Sequence, residues 1–262
     1  SDMDWVPLSK NLFMDKGLAQ KPNYAFIKNE LMIPIFGFEL ADAVAYLPLV
    51  FARRNQSMRL YGLMGLEDKT NLLVDEGGLW RSRFMPAALR SFPFRTGNVK
   101  DVGEVILVWN DQAWFDVKKK DNAVFDEDGS HTSLLEGYIT LLRKIRSSQN
   151  QIEKACELME TFGLLEPFCL TVKREGDRYQ INSFPSEDGG IFRINPKKLD
   201  ELDEKKFHEL RKSFETSNAL LHLEDSSNPP IGAKLCQNAF QVIPDVSFFN
   251  AGNKKNRKRL RT

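Results

Sequence analysis

The residues best suited to bind a ligand lie in one segment in which aromatic rings alternate with arginines. Residues 80–95 carry four rings and four guanidinium groups: Trp80, Phe84, Phe92 and Phe94, with Arg81, Arg83, Arg90 and Arg95. Rings can stack on bases or sugars, and guanidinium groups can hold phosphates or carboxylates. The same mixture arises where rings pack against a sheet while the arginines extend into solvent. We call residues 80–95 the arginine-aromatic segment, and both interpretations are open at the level of sequence.

A second basic feature is the C-terminal tail, residues 254–262. Six of its nine residues are basic: Lys254, Lys255, Arg257, Lys258, Arg259 and Arg261. The chain holds 37 basic and 36 acidic residues, so removal of these six leaves 31 basic residues against 36 acidic ones. A basic tail on an acidic body can reach an acidic patch of a neighbouring subunit, a nucleic acid or an anionic membrane surface. We expect the tail to bind a neighbouring subunit, and nucleic acid is the less favoured partner.

One short acidic stretch resembles a metal site. Asp126 and Asp128 stand two residues apart before Gly129, as in the opening of a calcium loop. Leu135 occupies the position where the bidentate glutamate of such a loop would be needed. Acidic residues followed by glycine also form ordinary turns ahead of a helix. We therefore expect a turn here, with Asp126 and Asp128 as a weak calcium candidate, and we predict no cofactor.

The sequence contains no catalytic motif. The Gly-x-Ser-x-Gly elbow, the Gly-x-x-x-x-Gly-Lys phosphate loop and the Gly-x-Gly-x-x-Gly fingerprint are all absent. Acidic loop residues could in principle supply the carboxylate pair of a glycoside hydrolase, but any acidic loop offers as much. We predict no catalytic residue. The alternative is an enzyme or accessory protein that binds carbohydrate or peptide in a cleft lined by Asp75, Asp126 and Asp128.

Composition narrows the class of protein. The 262 residues are 42% hydrophobic and 28% charged, which is typical of a soluble globular protein and excludes collagen, coiled-coil and wholly disordered chains. Asp42 and Pro48 interrupt the longest apolar stretch, so it is too short to span a membrane. No signal-peptide pattern is present, and no pair among Cys156, Cys169 and Cys236 has the spacing of a redox dithiol or a zinc knuckle. We expect buried cysteines and a cytoplasmic location.

The first half of the chain has the pattern of short strands and turns. Six apolar runs predict strands, at residues 24–27, 31–35, 49–52, 58–63, 71–75 and 105–109. Two short helices are expected between them, at residues 39–46 and 86–91, because Pro48 and Pro93 end them. This half is therefore predicted to be rich in β-strands with short helical crossings.

The second half changes to a helical period. Ser133 and Glu136 form a Ser-x-x-Glu capping box, and the apolar residues behind them recur at three- and four-residue steps up to Gly163. A hairpin is expected over residues 168–184, followed by helices that begin after Asn195 and Asp203. We predict one compact α+β domain over residues 3–253, with a seam near residues 121–130.

Several stretches together resemble the SapC family of bacterial and bacteriophage proteins, which is distinct from the peptide-transport permease of the same name. The matching motifs occur in the family's order between residues 7 and 223: Pro-Leu-Ser-Lys at 7–10, Tyr-Leu-Pro-Leu-Val-Phe at 46–51, Asn-Leu-Leu-Val-Asp at 71–75, Phe-Met-Pro-Ala-Ala-Leu-Arg-Ser-Phe-Pro-Phe at 84–94, Phe-Asp-Glu-Asp-Gly at 125–129 and Phe-Gly-Leu-Leu-Glu-Pro at 162–167. The family name comes from a surface-layer locus, so the resemblance implies association with a surface layer. It also implies an accessory role, because members are often encoded near oxygenases and halogenases.

These observations favour a non-enzymatic assembly or binding protein that self-associates as a dimer or trimer. The arginine-aromatic segment would be its contact surface, because interfaces are enriched in tryptophan, phenylalanine and arginine. The basic tail would reach an acidic neighbour, which could also be another protein. Nucleic-acid binding through the tail is the third hypothesis.

Overall fold

The computed structural model describes residues 5–66, 70–119, 121–174, 177–181 and 190–215. The strands in these ranges are β1 (Trp5–Pro7), β2 (Lys16–Leu18), β3 (Met32–Pro34), β4 (Leu49–Arg54), β5 (Ser57–Leu63), β6 (Phe94–Val99), β7 (Gly103–Trp109), β8 (Phe115–Val117), β9 (Leu165–Phe168), β10 (Leu170–Arg174), β11 (Asp177–Ile181) and β12 (Ile191–Ile194). The helices are α1 (Lys10–Phe13), α2 (Leu40–Ala43), α3 (Ala87–Arg90), α4 (Ser133–Thr161), α5 (Pro196–Asp200) and α6 (Glu204–Glu215), with 3-10 turns at Ala25–Ile27, Gly37–Glu39 and Gln112–Trp114. The predicted α+β class is confirmed.

The largest sheet has five strands in the order β3-β5-β4-β12-β9, and each neighbouring pair is antiparallel. Its centre is a hairpin of β4 and β5, which contain the apolar runs predicted as strands at residues 49–52 and 58–63. Asn55 and Gln56 join the two strands, and both have positive φ, 50° and 62°, as the twist of a two-residue hairpin favours. Core residues lie on both faces of this sheet, so β4 is a continuous apolar run from Leu49 to Ala52.

A second sheet has three strands, β1-β7-β6, and two ladders have two strands each. β1 places Trp5 opposite Trp109, and β6 and β7 form a hairpin. The ladder β2-β8 pairs Leu18 with Phe115, and the ladder β10-β11 is the predicted hairpin, confirmed over its described residues. The three-stranded sheet and β2-β8 support the part of the molecule that contains the candidate site.

Helix α4 connects the two halves of the core. Residues of its first half, such as Leu135 and Leu142, pack in a cluster with Phe13, Phe94 and Val108 next to the three-stranded sheet. Residues of its second half pack in the cluster that contains the five-stranded sheet: Ile152, Ala155, Cys156 and Met159. One amphipathic helix therefore stabilises both sheets, as its apolar period predicts.

The cap of α4 differs from the sequence prediction. Thr132, and not Ser133, is the N-cap, because the Thr132 hydroxyl accepts a hydrogen bond from Leu135 N at 3.2 Å. The same hydroxyl is 2.7 Å from Ala123 O, to which it can donate. Glu136, predicted to complete a capping box, instead contacts His131 Nδ1 at 2.8 Å. The predicted end at Gly163, with φ 65°, and the predicted caps of the helices after Asn195 and Asp203 agree with the structure.

Two of the predicted strands are wrong. Residues 25–27 form a 3-10 turn, because Asn23 Oδ1 accepts a hydrogen bond from Ala25 N at 2.8 Å and redirects the chain. Residues 71–75 form an irregular loop with a single bridge between Val74 and Trp80. Both segments border the candidate site. Their backbone conformation is fixed by hydrogen bonds to side chains, and neither segment is part of a sheet.

The segment that we predicted as a seam contributes to the core. Ala123, Val124 and Phe125 are buried, and the last two pack in the cluster of the first half of α4. Asn122 is also buried, and its amide donates to Leu18 O at 3.2 Å. These contacts favour the proposal of one compact domain, which stays a proposal.

The two described cysteines differ in environment. Cys156 is fully buried on α4, as predicted. Cys169 is exposed, which corrects the expectation that it is buried, because it lies between the ends of β9 and β10. Cys236 lies outside the described residues. None of the helices in the described ranges is long and apolar enough to cross a membrane.

Candidate binding site at the arginine-aromatic segment

The arginine-aromatic segment runs from the Val74–Trp80 bridge through α3 into β6, and it separates its rings from its cations. Phe84, Phe92 and Phe94 are buried, and Phe94 is only 1% exposed. The four arginines are exposed: Arg81, Arg83, Arg90 and Arg95. Phe92 and Phe94, predicted as contact residues, are therefore largely inaccessible to a protein partner at the outer surface, and they form the support beneath the arginines. The rings bury their apolar area in the core, which is the packing arrangement that the sequence left open.

One surface near the segment combines exposed apolar and charged side chains. We call residues 71–83 the outer loop. Leu79 is 57% exposed and Leu72 is 36% exposed, which is high for large apolar residues. Glu76, Arg81 and Arg83 are exposed in the same loop. The outer loop therefore presents leucine next to charges of both signs.

The outer loop is held in place by hydrogen bonds within itself and to the adjacent Phe84. Asp75 Oδ1 accepts from Leu79 N at 2.8 Å, and Arg81 N donates to Leu73 O at 2.8 Å. Trp80 is half-buried, and its Nε1 donates to Phe84 O at 2.9 Å. The loop is thus a fixed surface feature, and its exposed side chains start from a defined backbone.

The outer loop is also attached to the segment that begins at Asn23. Tyr24 N donates to Gly78 O at 2.8 Å, and Lys28 Nζ donates to Glu76 O at 2.6 Å. Gly78 has φ 83°, and a Cβ there would lie 2.0 Å from Asn23 Oδ1. Only glycine suits this position, because the backbone conformation and the close side chain both disfavour a Cβ.

The inner side of the segment borders a cavity of about 200 Å³. Its lining comes from β2, the 3-10 turns, α3 and α4: Leu18, Ala19, Pro22, Tyr24, Met85, Leu89, Arg90, Phe92, Pro93, Trp114 and Tyr138. The Phe92 and Trp114 rings are 4.6 Å apart between centroids, and Tyr24 lies 5.7 Å from Trp114. The cavity is therefore lined mostly by apolar side chains, four of them aromatic when its two tyrosines are included, together with one guanidinium group.

The two phenols of this cavity, Tyr24 and Tyr138, are protonated at neutral pH. Burial raises the pKa of Tyr24, and the nearby Tyr138 raises it further. Burial also raises the pKa of Tyr138. The Tyr24 hydroxyl lies 3.4 Å from the Met85 sulfur, which is a weak acceptor. A stronger acceptor could therefore take this hydrogen bond.

The guanidinium group of the cavity is positioned by a buried carboxylate. Glu39 is 3% exposed, and its Oε2 lies 3.4 Å from Arg90 Nη2. The same carboxylate accepts hydrogen bonds from Ala87 N at 2.7 Å and from Phe36 N at 3.2 Å. Burial raises the pKa of Glu39, although these hydrogen bonds and Arg90 act in the opposite direction. Glu39 therefore joins α3 to the 3-10 turn at Gly37–Glu39 and holds Arg90 at the cavity.

Arg95 has a separate role. Its guanidinium carbon lies 4.1 Å from the centroid of the Trp5 ring, a cation–π geometry. The Trp5 ring in turn packs against Phe92 at 5.6 Å between centroids. Arg95 thus covers the edge of the aromatic cluster beside β1.

The predicted calcium candidate forms a turn. Asp128 Oδ1 accepts from Ser130 N at 2.8 Å, and Ser130 Oγ lies 3.5 Å from Asp126 Oδ2. The hydrogen bonds of Ser130 lower the pKa of Asp128, and the Lys10 ammonium group also lowers it. Within the described ranges, no three histidine, cysteine, aspartate or glutamate side chains converge to hold a metal ion.

The carboxylates of the alternative hypothesis belong to two different turns. Asp75 bonds within the outer loop, whereas Asp126 and Asp128 bond within the turn before α4. A general acid needs a raised pKa, and the pKa of Asp128 is lowered. The basic tail, Lys254 to Thr262, lies outside the described residues.

The family of this chain is identified by a family model that matches most of its length. The SapC model matches residues 8–227, which include the whole candidate site. The chain belongs to the SapC family. No curated protein and no solved structure matches this SapC chain.

The sequence predicts some of the residues that line the cavity and does not predict the others. Arg90 and Phe92 belong to the arginine-aromatic segment, but Tyr24, Trp114 and Tyr138 come from three distant segments. Tyr138 follows the three- and four-residue apolar spacing of α4, which predicts a packing role only, and its exposure is intermediate. No local signal connects these residues, because the fold alone brings them together.

Proposed function

We propose that this SapC-family protein is a non-enzymatic binding protein that assembles with further copies of itself through the outer loop. The observation that carries the proposal is the exposure of Leu79 beside Arg81 and Arg83 on a fixed loop. Leucine and arginine can bury area and form bidentate contacts across an interface. The outer loop overlaps the predicted contact surface at residues 80–83, whereas Leu72, Glu76 and Leu79 precede that surface in the sequence.

The charges of the outer loop suit contact between identical copies. A two-fold interface places the same patch of both chains against each other, so the patch must complement itself. Glu76 lies in the same loop as Arg81 and Arg83, and Leu79 stands between the two signs in sequence. Glu76 of one copy would then meet an arginine of the other, with Leu79 near the centre. We propose a dimer on this basis.

The environments of the reactive groups support a non-enzymatic role. Burial raises the pKa of Cys156 to about 12, so its thiol is not a nucleophile at neutral pH. Asp75, Asp126 and Asp128 are used by their own turns. The alternative of a carbohydrate or peptide enzyme gains no support from these positions.

The basic tail is proposed to reinforce the assembly. It would contact an acidic surface of the neighbouring copy, such as the exposed turn that carries Asp126 and Asp128. A chain that ends at Asn253 should then form a weaker oligomer, and the difference should decrease at high salt because exposed charges are screened. If tail removal instead abolishes salt-sensitive binding to DNA and leaves the mass unchanged, the tail binds nucleic acid.

The test of the outer loop is solution mass by light scattering. Leu79→Asp combined with Arg83→Glu should lower the oligomeric state, because it places acidic groups against Glu76 of the other copy. Val102→Asp with Lys100→Glu is the matched control, since Val102 is 70% exposed in a different turn. Circular dichroism checks that both variants are folded. An unchanged oligomer in the outer-loop variant would exclude this loop as the interface.

A further inference from the structure

We propose that the cavity on the inner side of the arginine-aromatic segment binds a small aromatic carboxylate. This site is separate from the outer loop, because its lining contains none of residues 71–83. It is carried by three features: the volume of the cavity, its aromatic walls and the position of Arg90. Each feature restricts the ligand in a different way.

The volume of the cavity is sufficient for one ring. The cavity measures about 200 Å³. An apolar cavity of about 150 Å³ is large enough to bind benzene. The present cavity therefore has space for one six-membered ring with one small substituent.

The walls favour an aromatic ligand. Phe92, Trp114 and Tyr24 line the cavity with rings that already pack edge to face with one another. Aromatic pairs prefer such offset or edge-to-face contacts, and a ligand ring can extend the same arrangement. Met85 and Leu89 add apolar contacts, and the Met85 sulfur suits the edge of a ring.

Arg90 selects a carboxylate. It is the one charged residue of the lining, and Glu39 holds one of its nitrogens at 3.4 Å. A guanidinium group has five N–H donors in a fixed fork, so this contact leaves others for a bidentate contact with a carboxylate. The protonated hydroxyls of Tyr24 and Tyr138 are further donors at the same cavity. The site thus combines an apolar bed for a ring with donors for an anion.

The first experiment compares three probes on the wild-type protein by isothermal titration calorimetry. Benzoate carries both the ring and the carboxylate, toluene only the ring and acetate only the carboxylate. We expect benzoate to bind at least tenfold more tightly than either of the others. Equal binding of benzoate and acetate, or the absence of benzoate binding at millimolar concentration, would overturn the proposal. This comparison needs no variant, so it does not depend on the folding of a mutant.

The second experiment locates the site. Arg90→Met should weaken benzoate binding about 10- to 100-fold, because it removes hydrogen bonds to a charged group. It should leave toluene binding unchanged. Arg146→Met is the matched control, since Arg146 lies on the surface of α4 and its contact with Glu104 is 3.8 Å long. Tyr138→Phe should weaken benzoate binding by a smaller factor. Equal affinities in Arg90→Met and Arg146→Met would place the ligand elsewhere.

The proposal that the cavity binds a ligand and the proposal of self-association can be tested independently. Leu79→Asp with Arg83→Glu changes the outer loop and leaves the cavity lining intact. Benzoate affinity should therefore be the same in this variant as in the wild type. Loss of benzoate binding in this variant would show that the ligand site is in the outer loop, and the proposal for the cavity would be wrong.

Discussion

Glu39 provides the most quantitative test of how the candidate site is built. Its carboxylate accepts hydrogen bonds from two buried backbone groups, Ala87 N and Phe36 N. Glu39→Ala leaves both groups without this acceptor, at a cost of about 1–3 kcal/mol each. The loss of a buried carboxylate offsets part of this cost. We expect the free energy of unfolding to fall by about 2–4 kcal/mol, measured by urea denaturation followed by circular dichroism at pH 7.

Two further variants make this prediction specific to Glu39. Glu104→Ala removes an exposed carboxylate that lies 3.8 Å from Arg146, so it should change stability by less than about 0.5 kcal/mol. Glu39→Gln keeps one carbonyl oxygen and should lose roughly half as much stability as Glu39→Ala. The reasoning would be refuted if Glu39→Ala unfolded at the same urea concentration as Glu104→Ala.

Three other predictions concern the pKa of Glu39, the cap of α4 and the cysteines. Because the folded pKa of Glu39 is raised, the stability that its protonated form contributes is present below the ordinary glutamate pKa and is lost as pH rises. The free energy of unfolding of the wild type relative to Glu39→Gln should therefore fall from about pH 4 towards neutral pH, as urea denaturation at a series of pH values can measure. A difference that stays constant with pH would contradict this prediction. Thr132→Ala should cost about 1–2 kcal/mol in thermal or urea unfolding, whereas Ser133→Ala should cost less than about 0.5 kcal/mol, and the reverse order would restore the sequence prediction. Iodoacetamide should label Cys169 in the native protein and Cys156 only after unfolding, as peptide mass spectrometry can show.

The regular parts of the fold could be predicted from local sequence. The apolar period of α4 predicts a long helix that buries one face, and the structure extends it from Ser133 to Thr161. The hairpin of β4 and β5 follows from two apolar runs on either side of a polar turn. Asn195 and Asp203 cap their helices as predicted, because the capping side chain bonds to backbone only three residues away. These features depend on neighbours in the chain.

The errors occur where a distant contact decides between local alternatives. Thr132 and Ser133 are both suitable caps, and Thr132 also reaches Ala123 O, which no local pattern reveals. Tyr24 has high strand propensity, but the hydrogen bonds of Asn23 turn the chain at this point.

The candidate site was predicted only in part, for the same reason. The sequence identified the residue types of the arginine-aromatic segment but not which side chains are buried. Phe92 and Phe94 pack inside, and Arg90 is held by Glu39, which is 51 residues away in sequence. In the sequence, Glu39 is only the first residue of the short helix predicted at residues 39–46. A buried carboxylate has no local sequence signal, because its cost and its compensation both depend on the tertiary structure.

The most direct test of self-association is the solution mass of the wild-type chain, measured by light scattering over a range of protein concentrations. We predict a mass above that of a single chain, with a dimer as the dominant species, and a decrease towards the monomer mass on dilution. The Leu79→Asp, Arg83→Glu variant should have the monomer mass at concentrations where the wild type is dimeric. A wild-type protein with the mass of a single chain at every concentration would contradict the proposal that it assembles with copies of itself.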